Sequence, residues 1–135
     1  MAITYKVIQK RNPLDPSAPK KFYGQAVRGR KIDFKKLSVE IAETSTTVSD
    51  GDAYAVLITA AKLISKYLGL GYMVELEDIG TFYVSISSEG ADTEEKYHQG
   101  LIRKAKIIFK VGVVFAALLK NLTFEKQKTP AAKNP

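Results

Sequence analysis

Val74-Glu75-Leu76-Glu77-Asp78-Ile79-Gly80-Thr81-Phe82-Tyr83-Val84 reads as two strands meeting at a turn. Apolar residues recur at Val74 and Leu76, then at Phe82, Val84 and Ile86. That period of two puts one set of side chains on a common face. The expected strands are 73–76 and 81–87, with the turn at Asp78-Ile79-Gly80 and with Phe82, Val84 and Ile86 facing inward. Further on, residues 88–100 are polar, contain Gly90 and Gly100, and set Glu89, Asp92, Glu94 and Glu95 against one cation, Lys96. Strand alternation returns over 101–111. Ala105, Ile107, Phe109 and Val111 fall on one face there, and Lys104, Lys106 and Lys110 on the other. Gly112 then leads into an apolar segment, 113–122, expected to form a short helix.

Upstream of the hairpin the period changes to that of helices. Asp33 is a suitable N-cap, and Phe34, Leu37 and Ile41 share a helical face. This first helix is expected to stop near Thr44. Ser49 with Asp52 three residues later has capping-box spacing, in which the carboxylate reaches back to the Ser49 amide. The second helix, 50–68, is polar at Asp52, Thr59, Lys62 and Lys66 and otherwise largely apolar, with Tyr54, Leu57, Ile58, Ala61 and Ile64 among its side chains. A helix apolar over most of its circumference must be covered on more than one face. In a chain of 135 residues a second subunit is the simplest cover. Gly69 and Gly71 are expected to close the helix, because glycine takes the left-handed conformation without a Cβ penalty.

At the N-terminus, Ile3, Tyr5 and Val7 alternate with polar neighbours as in a strand. Pro13, Pro16 and Pro19 remove backbone donors and interrupt any ladder. Residues 22–27 can then return as a second strand, which makes a hairpin with a long loop. Arg28, Arg30 and Lys31 form a basic connector to the first helix. At the other end, 123–125 is expected to add an edge strand, and 127–135 to fray.

Composition narrows the chemistry. Hydrophobic residues make up 45% and charged residues 26%, which supports a folded core. Cysteine is absent, so there is no disulfide, thiolate metal site or thiol nucleophile. The single histidine, His98, cannot supply a multi-histidine metal site or a proton relay. Glu75, Glu77 and Asp78 lie on a surface hairpin without the cleft that paired carboxylate catalysis needs. The expectation is therefore no enzyme, no metal or other cofactor, and no small-molecule substrate. No apolar run approaches the ~18 residues of a membrane span, and the N-terminus lacks an apolar signal block, so a cytoplasmic location without membrane association is expected.

Charge is unevenly distributed. The net value is +7. Residues 1–36 hold ten Lys/Arg and two acids, residues 37–100 hold three Lys/Arg and eleven acids, and residues 101–135 hold eight Lys/Arg and one acid. Two basic blocks thus flank an acidic middle, a pattern suited to meeting a polyanion on one face.

The order of helix, long apolar helix, hairpin, polar arm, strand and short helix resembles the HU/IHF family of bacterial histone-like DNA-binding proteins. The quoted hairpin with Gly80, Phe82 and Val84 is similar to that family's Gly-x-Phe-x-Val hairpin. Phe109-Lys110-Val111-Gly112 followed by Leu118-Leu119-Lys120 resembles its Phe-x-x-Gly entry into the last helix. The N-terminal hairpin and the Phe124-Glu125-Lys126 end are similar to longer HU-like proteins of Bacteroides-type bacteria. The resemblance implies an α+β, IHF-like fold: an N-terminal β-hairpin extension (1–31), an HU-like DNA-binding domain (32–122) and a C-terminal strand with a flexible tail (123–135). It also implies an intertwined homodimer, with the second helix at its base, binding duplex DNA in the bacterial nucleoid.

The arm departs from the family pattern. Residues 85–100 contain no proline, and their charges sum to −3 from four acids and Lys96. Val113 stands where the family usually has a basic residue. Strong bending needs an apolar wedge and a cationic stem, so little bending is expected.

The candidate DNA contacts are Arg103, Lys104, Lys106 and Lys110, with Arg28, Arg30 and Lys31. Ammonium and guanidinium groups there would release counterions from phosphates without reading sequence. Lysines on an edge strand also guard against aggregation, which is the alternative use of the same residues. Tyr54, Leu57, Ile58, Ala61 and Ile64 are the expected dimer interface. The competing functional expectation is a homodimeric protein-interaction module that keeps the fold and has little DNA affinity.

Overall fold

The computed structural model describes residues 2–45 and 47–128. In chain order the elements are β1 (Ala2–Lys10), β2 (Lys21–Ala26), α1 (Phe34–Thr44), α2 (Asp50–Gly69), β3 (Val74–Glu75), β4 (Gly80–Ser88), β5 (Ile102–Val111), α3 (Val113–Lys120) and β6 (Thr123–Lys126). Two single 3-10 turns, Glu94–Lys96 and Gln99–Leu101, interrupt the arm between β4 and β5. The result is an α+β chain. Of the tail expected to fray, residues 129–135 lie outside the described residues.

The chain divides into two compact units, with boundaries at Lys31/Ile32 and at Ala117/Leu118, inside α3. One unit contains a three-stranded sheet in the order β2-β1-β6. β1 and β2 are antiparallel, whereas β6 returns from the far end of the chain to lie parallel to β1, with Ile3 opposite Phe124. The other unit contains α1, α2 and the sheet β3-β4-β5, both of whose pairings are antiparallel.

Capping explains where the helices begin and end. The Asp33 carboxylate accepts from the Lys36 amide at 3.0 Å and starts α1. The Ser49 hydroxyl accepts from the Asp52 amide at 3.1 Å and starts α2. The reciprocal bond of a full capping box is absent among the described residues. Aspartate is one methylene shorter than the glutamate that normally reaches back.

The end of α2 also differs from expectation. Gly69 is its last helical residue, and Gly71 alone takes the left-handed conformation, at φ +86°. The Tyr72 amide donates to the Tyr67 carbonyl at 3.0 Å, and the Gly71 amide to that of Leu68, also at 3.0 Å. That is a Schellman motif, closed by an edge-to-face contact between Tyr67 and Tyr72.

The decisive hairpin forms with a shorter first strand than expected. The Leu76 amide donates to Gly80 at 2.7 Å and the Ile79 amide to Leu76 at 3.0 Å, so the chain turns at Glu77-Asp78. Glu77 adopts φ +46° to make this turn. Gly80 belongs to β4 rather than to the turn, at φ +152°.

α1 packs on α2, and α2 also meets β3 and β4. Among the described residues only Ala53 and Leu68 form a buried apolar core, beside Ser38, whose hydroxyl donates to the Phe34 carbonyl at 2.6 Å. Val84 and Ile86, expected to face inward, are 39% and 57% exposed. They share a face with Phe82, which opens onto a trough rather than a closed interior.

Candidate nucleic-acid interface

The β4–β5 ladder runs from Gly80 opposite Val111 to Ser88 opposite Ile102. Because directly opposed residues share a face, the register sorts the side chains into two sets. Phe82 with Phe109, Val84 with Ile107, and Ile86 with Ala105 make an apolar face. The Phe82 and Phe109 rings lie 4.8 Å apart, and Phe115 of α3 adds an edge contact to Phe109 at 6.2 Å.

The opposite face is polar and cationic. Lys104 opposes Ser87, Lys106 opposes Ser85, and Lys110 opposes Thr81, with Tyr83 and Ile108 between them. All three lysines are exposed, and none forms an ion pair among the described residues. Their hydroxyl-bearing partners are donors able to supplement the ammonium groups at phosphate oxygens. Sequence alternation placed the three lysines on one face but did not show Thr81, Tyr83, Ser85 and Ser87 opposite that row. The missing information was the register, which alternation alone does not supply.

Arg103 does not join this set. By alternation it faces away from Lys104, and its guanidinium pairs with the Glu89 carboxylate. Glu89 in turn closes the arm, its amide donating to Leu101 at 2.8 Å. The remaining arm residues Asp92, Glu94 and Glu95 are exposed. Arg28, Arg30 and Lys31 lie, also exposed, in the segment without regular structure between β2 and α1.

Glycines hold the root of the ribbon. A Cβ on Gly80 would lie 2.6 Å from the Phe109 ring, and it would also strike the Lys110 carbonyl oxygen. The Gly112 amide donates to Ile79 at 2.8 Å, and the Val114 amide to Asp78 at 3.1 Å, so β5 enters α3 directly against the turn. Both glycines of the two sequence motifs are therefore demanded by close backbone approach.

Beside the ribbon's apolar face lies a trough of about 970 Å³ whose lining includes Leu37, Leu57, Ala61, Ile64, Phe82 and Ile107. Leu57, Ala61 and Ile64 of the expected interface thus share one surface. Tyr54 lines a separate hollow of about 260 Å³ with Ser38 and Val39, and Ile58 lines neither.

Among the described residues, no group of three or more His, Cys, Asp or Glu is placed to hold a metal. None of the described helices is long and apolar enough to cross a membrane.

Comparison with known proteins agrees with this architecture. No curated protein matches the chain. A crystal structure described as a bacterial DNA binding protein from Bacteroides vulgatus ATCC 8482 aligns with a TM-score of 0.63 at 12% identity. The alignment covers 96% of this chain and 50% of that one, so the present chain spans half the length of its structural neighbour. At that identity the likeness concerns the fold. The family model HU-HIG, described as an HU domain fused to wHTH, Ig, or glycine-rich motif, matches residues 1–126. That match, over nearly the whole chain, makes it a member of the HU-HIG family of HU domains.

Proposed function

We propose that the chain binds duplex DNA through its phosphates, largely without sequence specificity, as a homodimer with an architectural role in the bacterial nucleoid. The observation that carries this reading is the lysine face of β4–β5: Lys104, Lys106 and Lys110 with hydroxyl partners opposite them. Alternate residues on a strand are separated by ~6.8 Å, about two steps of the 3.4 Å rise per phosphate along one DNA strand. Affinity gained this way is sequence-independent and falls steeply with salt. Arg28, Arg30 and Lys31 are secondary contacts in this reading. Arg103 contributes less, because Glu89 already neutralises it.

The dimer accounts for the open trough. Leu57, Ala61 and Ile64 line it without being closed over. A second copy placing the same helix there would remove this apolar surface from water, at about 25 cal/mol per Å². Tyr54 and Ile58 would lie toward the margin of such an interface.

A second reading, a homodimeric protein-interaction module with little DNA affinity, is favoured by the acidic arm and by Val113 at the start of α3. A titration of a short duplex at several salt concentrations separates the two. Sequence-independent binding with a steep negative salt slope supports the first, and absence of binding at low salt overturns it.

A further inference from the structure

The β1–β2 hairpin has a face that resembles the lysine face of β4–β5 without sharing any of its residues. Lys6 opposes Gln25, Ile8 opposes Tyr23, and Lys10 opposes Lys21. These side chains share one face, and the Lys10 ammonium lies 6.0 Å from the centre of the Tyr23 ring. The opposite face holds Tyr5, Val7 and Phe22, with Ile3 opposite Phe124. One side of the hairpin is therefore mainly apolar, with Gln9 and, opposite Tyr5, Lys126 of β6 on it, and the other carries Lys6, Lys10 and Lys21 around Ile8 and Tyr23.

Lysines commonly protect edge strands, and β6 pairs with β1 only over Ala2–Tyr5, so Lys6 and Lys10 stand on a two-stranded stretch open to such use. One feature goes beyond edge protection: Lys10 and Lys21 are directly opposed like charges, which destabilises a hairpin, and Arg11 and Lys20 extend the cluster into the loop.

Nothing in the hairpin neutralises this cluster. None of the five cations forms an ion pair among the described residues. The loop's acid, Asp15, accepts from the Ser17 hydroxyl at 2.6 Å and from the Ser17 amide at 3.1 Å. Those bonds hold its carboxyl below the usual range and turn it toward its own loop. Glu125 stands opposite Thr4, at the end of the sheet remote from the loop. Between the cations a hollow of about 410 Å³ is framed by Lys10, Arg11, Lys21 and Tyr23 and by the rings of Pro13 and Pro19.

We propose that this cationic face of the β1–β2 hairpin is a second duplex-DNA contact, in which Lys6, Lys10 and Lys21, extended by Arg11 and Lys20, bind backbone phosphates. The proposal rests on the DNA-binding reading above. A two-stranded ribbon is narrow enough for the major groove, and phosphates flanking a groove are the ligands that relieve the Lys10–Lys21 repulsion.

The test compares the full chain with K6Q/K10Q/K21Q and K104Q/K106Q/K110Q by anisotropy on a labelled 30-base-pair duplex over a salt series. Each triple substitution should weaken binding at least tenfold near 0.1 M salt. Each should also flatten the slope of log K against log salt, by ~0.9 for every phosphate that is no longer neutralised. K6R/K10R/K21R, which keeps the charge, should bind within about threefold of wild type by the same counterion argument. Thermal melting guards against misfolding: K6Q/K10Q/K21Q should unfold no earlier than wild type, because the opposed lysines are gone.

Unchanged affinity and slope in the hairpin variant, with binding abolished in the β5 variant, would overturn this proposal and leave the role of the β5 lysines standing. No binding by the wild type would overturn both. Loss of single-stranded RNA or acidic-peptide binding, with duplex binding intact, would assign the face to another partner and sink the DNA proposal.

Discussion

Gly112 faces the peptide of Asp78 so closely that a Cβ there would sit 2.5 Å from the Asp78 carbonyl oxygen and 2.9 Å from the Gly80 amide nitrogen. Both neighbours are backbone held by hydrogen bonds, Asp78 through Val114 and the turn through Gly112 itself. Neither can move as a side-chain tip would. The joint between the ribbon and α3 thus depends on the absence of one carbon atom.

Gly112→Ala should accordingly cost about 3 kcal/mol, through overpacking against fixed backbone. Gly71→Ala is the internal comparison. A Cβ at Gly71 meets nothing within 4 Å, so only its left-handed φ is penalised, at about 1 kcal/mol. Urea unfolding of both variants checks the order. Equal losses would mean that the backbone around Gly112 relaxes freely.

The trough lined by Leu57 and Ile64 predicts that assembly and folding are coupled. Leu57→Glu or Ile64→Glu should abolish the dimer and unfold the chain together, because an unpaired buried charge costs several kcal/mol. Sedimentation of the wild type at micromolar concentration is the direct measurement. A well-folded monomer there would defeat the dimer.

Replacing Lys104, Lys106 and Lys110 together with alanine should weaken binding about equally on unrelated duplexes. The salt slope should flatten by ~0.9 for each phosphate left unneutralised per protomer. An unchanged slope would leave these lysines as protection of β5, which is an edge strand of its sheet.

The arm is expected to be dispensable for affinity. Deleting 91–99 removes three acids and one lysine and joins Gly90 to Gly100, a pair suited to a two-residue hairpin turn between Glu89 and Leu101. Those two residues are already bonded at 2.8 Å. Duplex affinity should stay level or rise, and dyes on the two duplex ends should report little bending by either form. A large shortening that vanishes with the deletion would show that the arm grips DNA.

Much of the chain was legible from neighbours close in sequence. Asp33 and Ser49 mark helix starts because a capping side chain reaches an amide only three residues away. The closing role fell to Gly71 rather than Gly69, a two-residue choice made by the Schellman bonds to Tyr67 and Leu68. Alternation over 101–111 separated the lysines from the apolar residues because the strand period is local. Charge segregation and the two motif glycines were likewise visible in the sequence.

What the tertiary structure decided are relations between residues far apart in the chain. Alternation assigns a face but not a partner, so it could not place Ser85 opposite Lys106, nor Lys10 opposite Lys21. It did not show that Arg103 is taken by Glu89 across the base of the arm. β6 was recognisable as a strand from its own residues. Its parallel seat beside β1, more than a hundred residues away, depends on a ladder whose two halves carry no common local signal. The need for glycine at 112 belongs to the same class: it arises from the Asp78 carbonyl, brought there by the turn of another strand. Caps, turns and periods are short-range forces written in adjacent residues, whereas register and steric fit exist only once distant backbones have met.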